Sequence, residues 1–269
     1  MSAPITALVA KLPTQPSVST ETVKIVQAFN TWAYKREQPS DIALLSSVVA
    51  RAVQQRLPVP LVLYWGKGPR SQMAEPDEIC LDFLASMERR IESVYPNGAQ
   101  FFLLLTDTHA HLNQHTTKDI NKYFSDIAQA AHQRGFKSRK LSDVVRSASP
   151  NLCASATEVA SSELIESLRC SAEKWYFGTS SAAEAAASYF ATNMRERVAV
   201  ETIYPDSIFV TFNGSTMRPL FPATLPIFYM YSLKKGFGVK PWFLNDDGEW
   251  RRSFAPSGHV NSVEIVAAE

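Results

Sequence analysis

Residues 99–106 read Ala-Gln-Phe-Phe-Leu-Leu-Leu-Thr (AQFFLLLT), and this stretch decides the fold. Its consecutive Phe and Leu side chains leave no polar face for solvent, so it predicts a strand that is buried on both sides. Such a strand belongs in the middle of a sheet that helices cover on both faces. Immediately before it, apolar residues at spacings of three and four predict a helix that ends at residues 95–98, YPNG.

A second buried strand is predicted further upstream. Residues 60–65, PLVLYW, are apolar and are followed by Gly66, Gly68 and Pro69, which indicate a loop. Helical spacing is predicted in three further segments, Glu21–Tyr34, Ser40–Gln55 and 118–134. Because helices and strands alternate along the chain, we expect an α/β fold with a Rossmann-like, mainly parallel sheet flanked by helices.

The rest of the chain divides into a helical part and a β-like part. Residues 147–188 are rich in Ala, Ser and Glu and predict helices, whereas residues 207–213, 226–233 and 239–244 have strand character. We therefore expect a mobile leader at 1–19 and a single α/β domain at 20–269. That domain would comprise a Rossmann-like half (20–146), a helical segment (147–200) and a β-rich carboxyl-terminal portion (201–269) that completes the site.

Charge and composition exclude several classes of partner. The 269 residues include 27 Lys and Arg against 26 Asp and Glu, a net charge of +1, so no overall field favours nucleic acid or an anionic membrane. Three cysteines are too few for a disulfide framework and fit a reducing compartment. Without a signal peptide or a long apolar run, we expect a cytoplasmic protein that binds neither nucleic acid nor membrane.

The ligand site is expected where the strands end. In parallel α/β sheets, ligands bind beyond the carboxyl ends of the strands, where loops 66–71 and 106–115 are predicted to lie. The first loop carries the cations Lys67 and Arg70, and the second carries Asp107 and His109.

An alternative hypothesis starts from residues 105–112, LTDTHAHL. Asp-x-His-x-His on an extended backbone points alternate histidines to one side, as in metal-dependent hydrolases that activate water. Such a motif usually lies at the start of a barrel of about 250 residues. Because 106 residues already precede Asp107, too few residues follow it to form such a barrel. We therefore expect no metal site and keep the hydrolase as an alternative. Without a metal, His109, His111 and His115 would be loop residues, some exposed and some hydrogen-bonded to substrate or backbone.

Several short motifs follow one another in a familiar order. They are QRLPVPLVLYWGKGPRS (55–71), EPDE (75–78), IESVYPNGAQFFLLLTD (91–107), IYPDSIFVTFN (203–213), KPWF (240–243) and DDGEW (246–250). This order resembles the isonitrile (isocyanide) synthases of the pyoverdine/dityrosine biosynthesis family. The resemblance places the family's loop lysine at Lys67 and the aspartate at its strand end at Asp107.

The resemblance implies an enzyme of secondary metabolism without a metal or redox cofactor. It would condense the amine of an aromatic amino acid with the ketone of ribulose 5-phosphate and fragment the adduct to an isonitrile or related product. The implied partners are therefore an amino acid and a sugar phosphate, and assembly into a homo-oligomer stays open. The catalytic candidates are Lys67, Asp107 and His109, and the substrate-binding candidates are Tyr64, Trp65, Arg70, Asn213, Lys240 and Trp242.

The chain also departs from the family pattern. Thr108 and His109 stand where the family has Gly-Arg, Phe209 lies near its strand arginine, and Asn213 replaces a histidine. A fold does not fix a reaction, so these departures concern the chemistry more than the architecture. A small-molecule-binding relative without turnover is therefore a third hypothesis.

Overall fold

A computed structural model of the chain describes residues 19–66, 73–112, 115–148, 161–176 and 178–230. The predicted leader, apart from Ser19, and the strand predicted at 239–244 lie outside these ranges. Within the described ranges, every helix is too short or too polar to cross a bilayer.

The centre of the molecule is a five-stranded sheet in which every pair of neighbours is parallel. The strands are Val59–Trp65 (β1), Ala99–Leu105 (β2), Lys137–Lys140 (β3), Ile208–Thr211 (β4) and Ile227–Tyr229 (β5). Their order is β3-β2-β1-β4-β5, so the chain runs outward from β1 to one edge and then returns to fill the other. The boundary between β1 and β4 is therefore the topological switch point of the sheet.

Helices cover the sheet on both sides. They are Thr20–Phe29 (α1), Ile42–Gln55 (α2), Glu75–Glu92 (α3), Asp107–Leu112 (α4), Thr117–Gln133 (α5), Leu141–Ser147 (α6), Ser162–Trp175 (α7) and Ala182–Ile203 (α8), with a 3-10 helix at Ser215–Leu220. This arrangement confirms the predicted α/β fold with a parallel sheet flanked by helices.

Alternation along β1 divides the core into two. Leu61, Leu63 and Trp65 belong to the core that α1, α2, α3 and α5 cover. Val62 and Tyr64 pack on the other side, with α6, α7 and α8. Since successive side chains of a strand point to opposite faces, neighbouring residues of β1 serve different cores.

The central position predicted for residues 99–106 is also confirmed. β2 lies between β1 and β3, with Leu103 buried in one core and Leu104 buried in the other. The edge strand β3 was not predicted, because its sequence KSRK has no apolar pattern. A charged strand suits an edge, since it discourages pairing with further strands.

The prediction of a loop at 106–115 was wrong, because α4 begins at Asp107, directly after β2. The first helix also ends at Phe29, five residues before the predicted end at Tyr34. The short helix α6 was not predicted either, because seven residues are too few to display a clear helical period.

The free edge of β5 is covered by the segment that connects α1 and α2. The amide of Arg36 donates to the carbonyl of Tyr229 (3.0 Å), and Ser40 exchanges hydrogen bonds with Ile227. The guanidinium of Arg36 also donates to the carbonyl of Phe212 (3.3 Å). This segment therefore supports the chain just beyond β4, where the cleft described below opens.

Candidate functional site

An open cleft lies at the carboxyl ends of β1, β2 and β4. It coincides with the switch point, the position where parallel α/β folds bind ligands. Its lining combines aromatic and uncharged polar side chains with one histidine. The lining residues are Tyr64, Gly66, Thr106, His109, Tyr189, Asn193, Thr211, Phe212, Asn213 and Phe221.

Hydrogen bonds between strand ends shape the floor of the cleft. The hydroxyl of Thr106, after β2, donates to the carbonyl of Trp65 at the end of β1 (2.9 Å). The hydroxyl oxygen of Thr211 accepts from the backbone amide and the side-chain amide of Asn213, at 3.1 and 3.2 Å. These bonds hold Asn213 at the end of β4, where it faces the cleft.

A buried carboxylate and an imidazole meet at one wall. Nε2 of His109, on α4, lies 2.7 Å from Oε2 of Glu196, on α8. The other carboxylate oxygen accepts a hydrogen bond from the hydroxyl of Thr108. Glu196 is only 1% exposed, and a carboxylate removed from water in this way needs such partners.

Tyr64 brings a hydroxyl into the same cleft. Its oxygen is shielded from solvent and has no hydrogen-bond partner among the described residues, although the residue as a whole is partly exposed. Its ring packs edge-on against Phe209, with 4.9 Å between centroids. Burial raises the pKa of Tyr64 well above its ordinary value, and the negative charge of Glu196 raises it further. The side chain therefore stays a neutral phenol.

Three residues of α8 at this site were not identified from the sequence. Tyr189 stacks at a tilt on His109, with 5.1 Å between ring centroids, and burial raises the pKa of its hydroxyl. The side chain of Asn193 donates to the carbonyl of Tyr189 (2.8 Å). Tyr189, Asn193 and Glu196 are spaced by four and three residues, so they share one helix face. That spacing of polar residues in an Ala-rich helix was the signal available in the sequence.

The structure brings three of the predicted site residues together, since Tyr64, His109 and Asn213 all line the cleft. Trp65 points to the opposite core, where its indole donates to the hydroxyl of Tyr123 (3.2 Å). The predicted residues Lys67, Arg70, Lys240 and Trp242 lie outside the described residues. Among the residues that the structure describes, none that lines the cleft is Lys or Arg.

Asp107 is buried beside the cleft without lining it. Its carboxylate accepts hydrogen bonds from the amide (3.0 Å) and the hydroxyl (2.5 Å) of Ser142, in the first turn of α6. These bonds tie α4 to α6. In this structure, Asp107 therefore positions the helix that carries His109.

The geometry does not suit the metal site that Asp-x-His-x-His suggested. That hypothesis needs an extended backbone, whereas residues 107–112 form a helix, on which positions two apart point in nearly opposite directions. Accordingly, His109 meets Glu196 while His111 is exposed. In the part of the chain that the structure describes, no three His, Cys, Asp or Glu side chains are grouped to hold a metal ion.

Comparison with known proteins gives a likeness of fold. No protein-family model and no curated protein sequence matches the chain. Among solved structures, the PvcA protein from Pseudomonas aeruginosa is similar with a TM-score of 0.60 and 16% identity, over 79% of this chain and 83% of that chain. A tyrosyl-tRNA synthetase from Archaeoglobus fulgidus, complexed with L-tyrosine, has a TM-score of 0.43 and 12% identity, over 78% and 63% of the two chains. At 16% identity, the chain and PvcA share their α/β fold.

Proposed function

We propose that this chain is a biosynthetic enzyme of the isonitrile synthase type. It would condense the amine of an amino acid with the ketone of a sugar phosphate such as ribulose 5-phosphate. The observation that carries the proposal is the His109–Glu196 pair, which opens on a cleft at the switch point of the sheet. The order of sequence motifs, which resembles the isonitrile synthases, and the fold shared with the PvcA protein support it.

The cleft offers the groups that such a condensation needs. The ammonium group must lose a proton before it attacks the ketone, and the resulting hydroxyl must gain one before it leaves as water. An imidazole suits both transfers because it can accept a proton on one nitrogen and later donate it. Tyr64 and Asn213 can hydrogen-bond the polar groups of the reactants, and the aromatic wall can hold an amino-acid side chain.

The phosphate of the sugar needs positive charge at the cleft. Because the described lining residues include no Lys or Arg, we propose that the predicted cations Lys67, Arg70 and Lys240 supply this charge. Trp242 is proposed as a further contact for the amino acid. A cytoplasmic location, and partners limited to small molecules and further copies of the chain, remain predictions of the same kind.

The decisive experiment follows an isotope label. The full chain is incubated with L-tyrosine or L-tryptophan and ribulose 5-phosphate carrying ¹³C at the ketone carbon, and products are analysed by mass spectrometry. Since the amine bonds to that carbon, the label must appear in the isonitrile. We expect His109→Gln to lower turnover about 100-fold or more, because an acid/base group contributes roughly 10² to 10⁴ in rate.

His111→Gln is the matched control, because this exposed histidine lies two residues away on the same helix. It should retain wild-type turnover. Full activity in His109→Gln would contradict the site, and full activity in Lys67→Ala would contradict the proposed phosphate contact. Binding of both reactants by calorimetry, without any labelled product, would favour the silent binding relative.

A further inference from the structure

We infer that Glu196 and Thr108 are positioning residues that hold His109 as the tautomer protonated on Nε2, so that Nδ1 is the nitrogen that exchanges protons with the substrate. The identity of that substrate rests on the proposed function. The tautomer follows from the hydrogen bonds alone and can be tested separately.

The first step concerns the donors around Glu196. Its two oxygens are each engaged by one residue of α4, the hydroxyl of Thr108 and Nε2 of His109, the latter at 2.7 Å. A carboxylate has acceptor sites only, so Nε2 must supply the proton in this contact. In a neutral imidazole, one nitrogen carries the proton and the other keeps a lone pair. The lone pair is therefore on Nδ1.

The second step concerns the free side of the ring. Nδ1 makes no hydrogen bond with the described part of the chain, and it is not among the polar atoms buried without a partner. The side chain of His109 is 12% exposed and lines the cleft. Tyr189 packs against the ring at 5.1 Å, and Glu196 holds its Nε2 edge. The unoccupied Nδ1 is thus the nitrogen available to a ligand.

The third step concerns the rigidity of this arrangement. Thr108 and His109 are consecutive residues of α4, and Glu196 belongs to the 22-residue helix α8. The preceding residue, Asp107, binds α4 to the start of α6. Three packed helices therefore fix the carboxylate relative to the ring.

One nitrogen, Nδ1 of His109, both accepts and later returns the proton that the condensation requires. Nδ1 accepts a proton from the substrate ammonium, and the freed amine forms a C–N bond with the ketone carbon. The amine proton moves to the new alkoxide, and Nδ1–H then donates its proton to the hydroxyl, whose C–O bond breaks. The products are an iminium ion and one water, and the imidazole returns to its starting tautomer.

The test reads the tautomer directly by NMR of protein labelled with ¹⁵N-histidine, with the His109 signals assigned from their loss in His109→Gln. For the neutral ring, we expect a protonated Nε2 and an unprotonated Nδ1. Glu196→Gln replaces one acceptor oxygen by an amide donor, so the preference for the Nε2–H form should be lost. Where turnover is measured, kcat should fall about 10-fold or more while KM changes less than about twofold.

Thr108→Val is the second variant, because it keeps the side-chain shape and leaves the Glu196 contact with His109 in place. It should change the tautomer balance and kcat less than Glu196→Gln does, and circular dichroism verifies that each variant is folded. His111→Gln should leave both readings unchanged.

Three results separate the possible failures. A neutral His109 protonated on Nδ1 in the wild-type protein would overturn the inference, whatever the activity. The inference would also be overturned if Glu196→Gln left both the tautomer of His109 and kcat unchanged. The expected tautomer, altered in Glu196→Gln but accompanied by no turnover in any protein, would support the positioning role and count against the proposed function.

Discussion

Glu196 carries an acidic side chain in a place where water does not reach it. The residue is 1% exposed, and the neighbouring residues Thr108 and His109 supply its hydrogen bonds. Removing a charge from water costs several kcal/mol, which an oppositely charged or hydrogen-bonded partner offsets. The His109–Glu196 pair therefore affects the stability of the fold as well as the proposed chemistry, since neither residue can be removed without affecting the other.

We expect His109→Leu to lower the free energy of unfolding by about 3 kcal/mol or more at pH 7, because it leaves the carboxylate of Glu196 buried without its main partner. The double variant His109→Leu/Glu196→Leu should recover at least half of this loss, since it removes the charge as well. Urea denaturation measures the stability of the wild type, His109→Leu, Glu196→Leu and the double variant. If the effects of the two single changes add up, the coupling is contradicted.

Asp107 shows a comparable role at the level of elements. It opens α4, and its carboxylate also binds the amide and hydroxyl of Ser142 in the first turn of α6. Lys140, which precedes α6, makes no capping hydrogen bond with its own side chain. Asp107 therefore caps α6, which begins 34 positions later in the chain, and fixes the angle between α4 and α6.

We expect Asp107→Ala to destabilise the protein by about 1–2 kcal/mol, the usual effect of losing a capping side chain. Ser142→Ala is the matched variant, and it should cost less because the backbone amide can still donate to Asp107. Thermal unfolding followed by circular dichroism shows which of the two variants is less stable. Loss of turnover in Asp107→Asn at unchanged stability would instead return Asp107 to the catalytic role expected from the sequence.

At the scale of the whole molecule, buried tyrosines determine behaviour at high pH. Burial is the largest cause of a raised pKa at four of them, Tyr64, Tyr189, Tyr204 and Tyr229. The folded protein therefore retains these phenol protons at pH values where the unfolded chain, with an ordinary pKa near 10, releases them. Their contribution to stability is complete below about pH 10 and is lost as the pH rises through the folded pKa values.

We therefore expect the free energy of unfolding to decline steadily above about pH 10. Absorbance at 295 nm should show that the ionisation of these four tyrosines accompanies the loss of ellipticity. Replacement of Tyr189 by Phe should reduce the slope of stability against pH in this range. Early ionisation of all tyrosines in the folded protein would contradict the burial described here.

Local pattern was sufficient for the architecture. The apolar runs that became β1 and β2 and the helical spacing of α2, α3 and α5 were all read correctly, because each pattern records which faces are shielded from water. The short elements β3, α4 and α6 were not predicted, since four to seven residues are too few to show a helix or strand periodicity.

Sequence patterns were enough to predict a parallel α/β sheet and the edge at which its strands end. Which side chains meet at that edge depends on tertiary packing. Trp65 and Tyr64 are adjacent in the chain but enter opposite cores, and His109 finds Glu196 87 residues away. A hydrophobic pattern reports that a residue is buried, whereas its partner depends on how distant elements pack, and that information is not local.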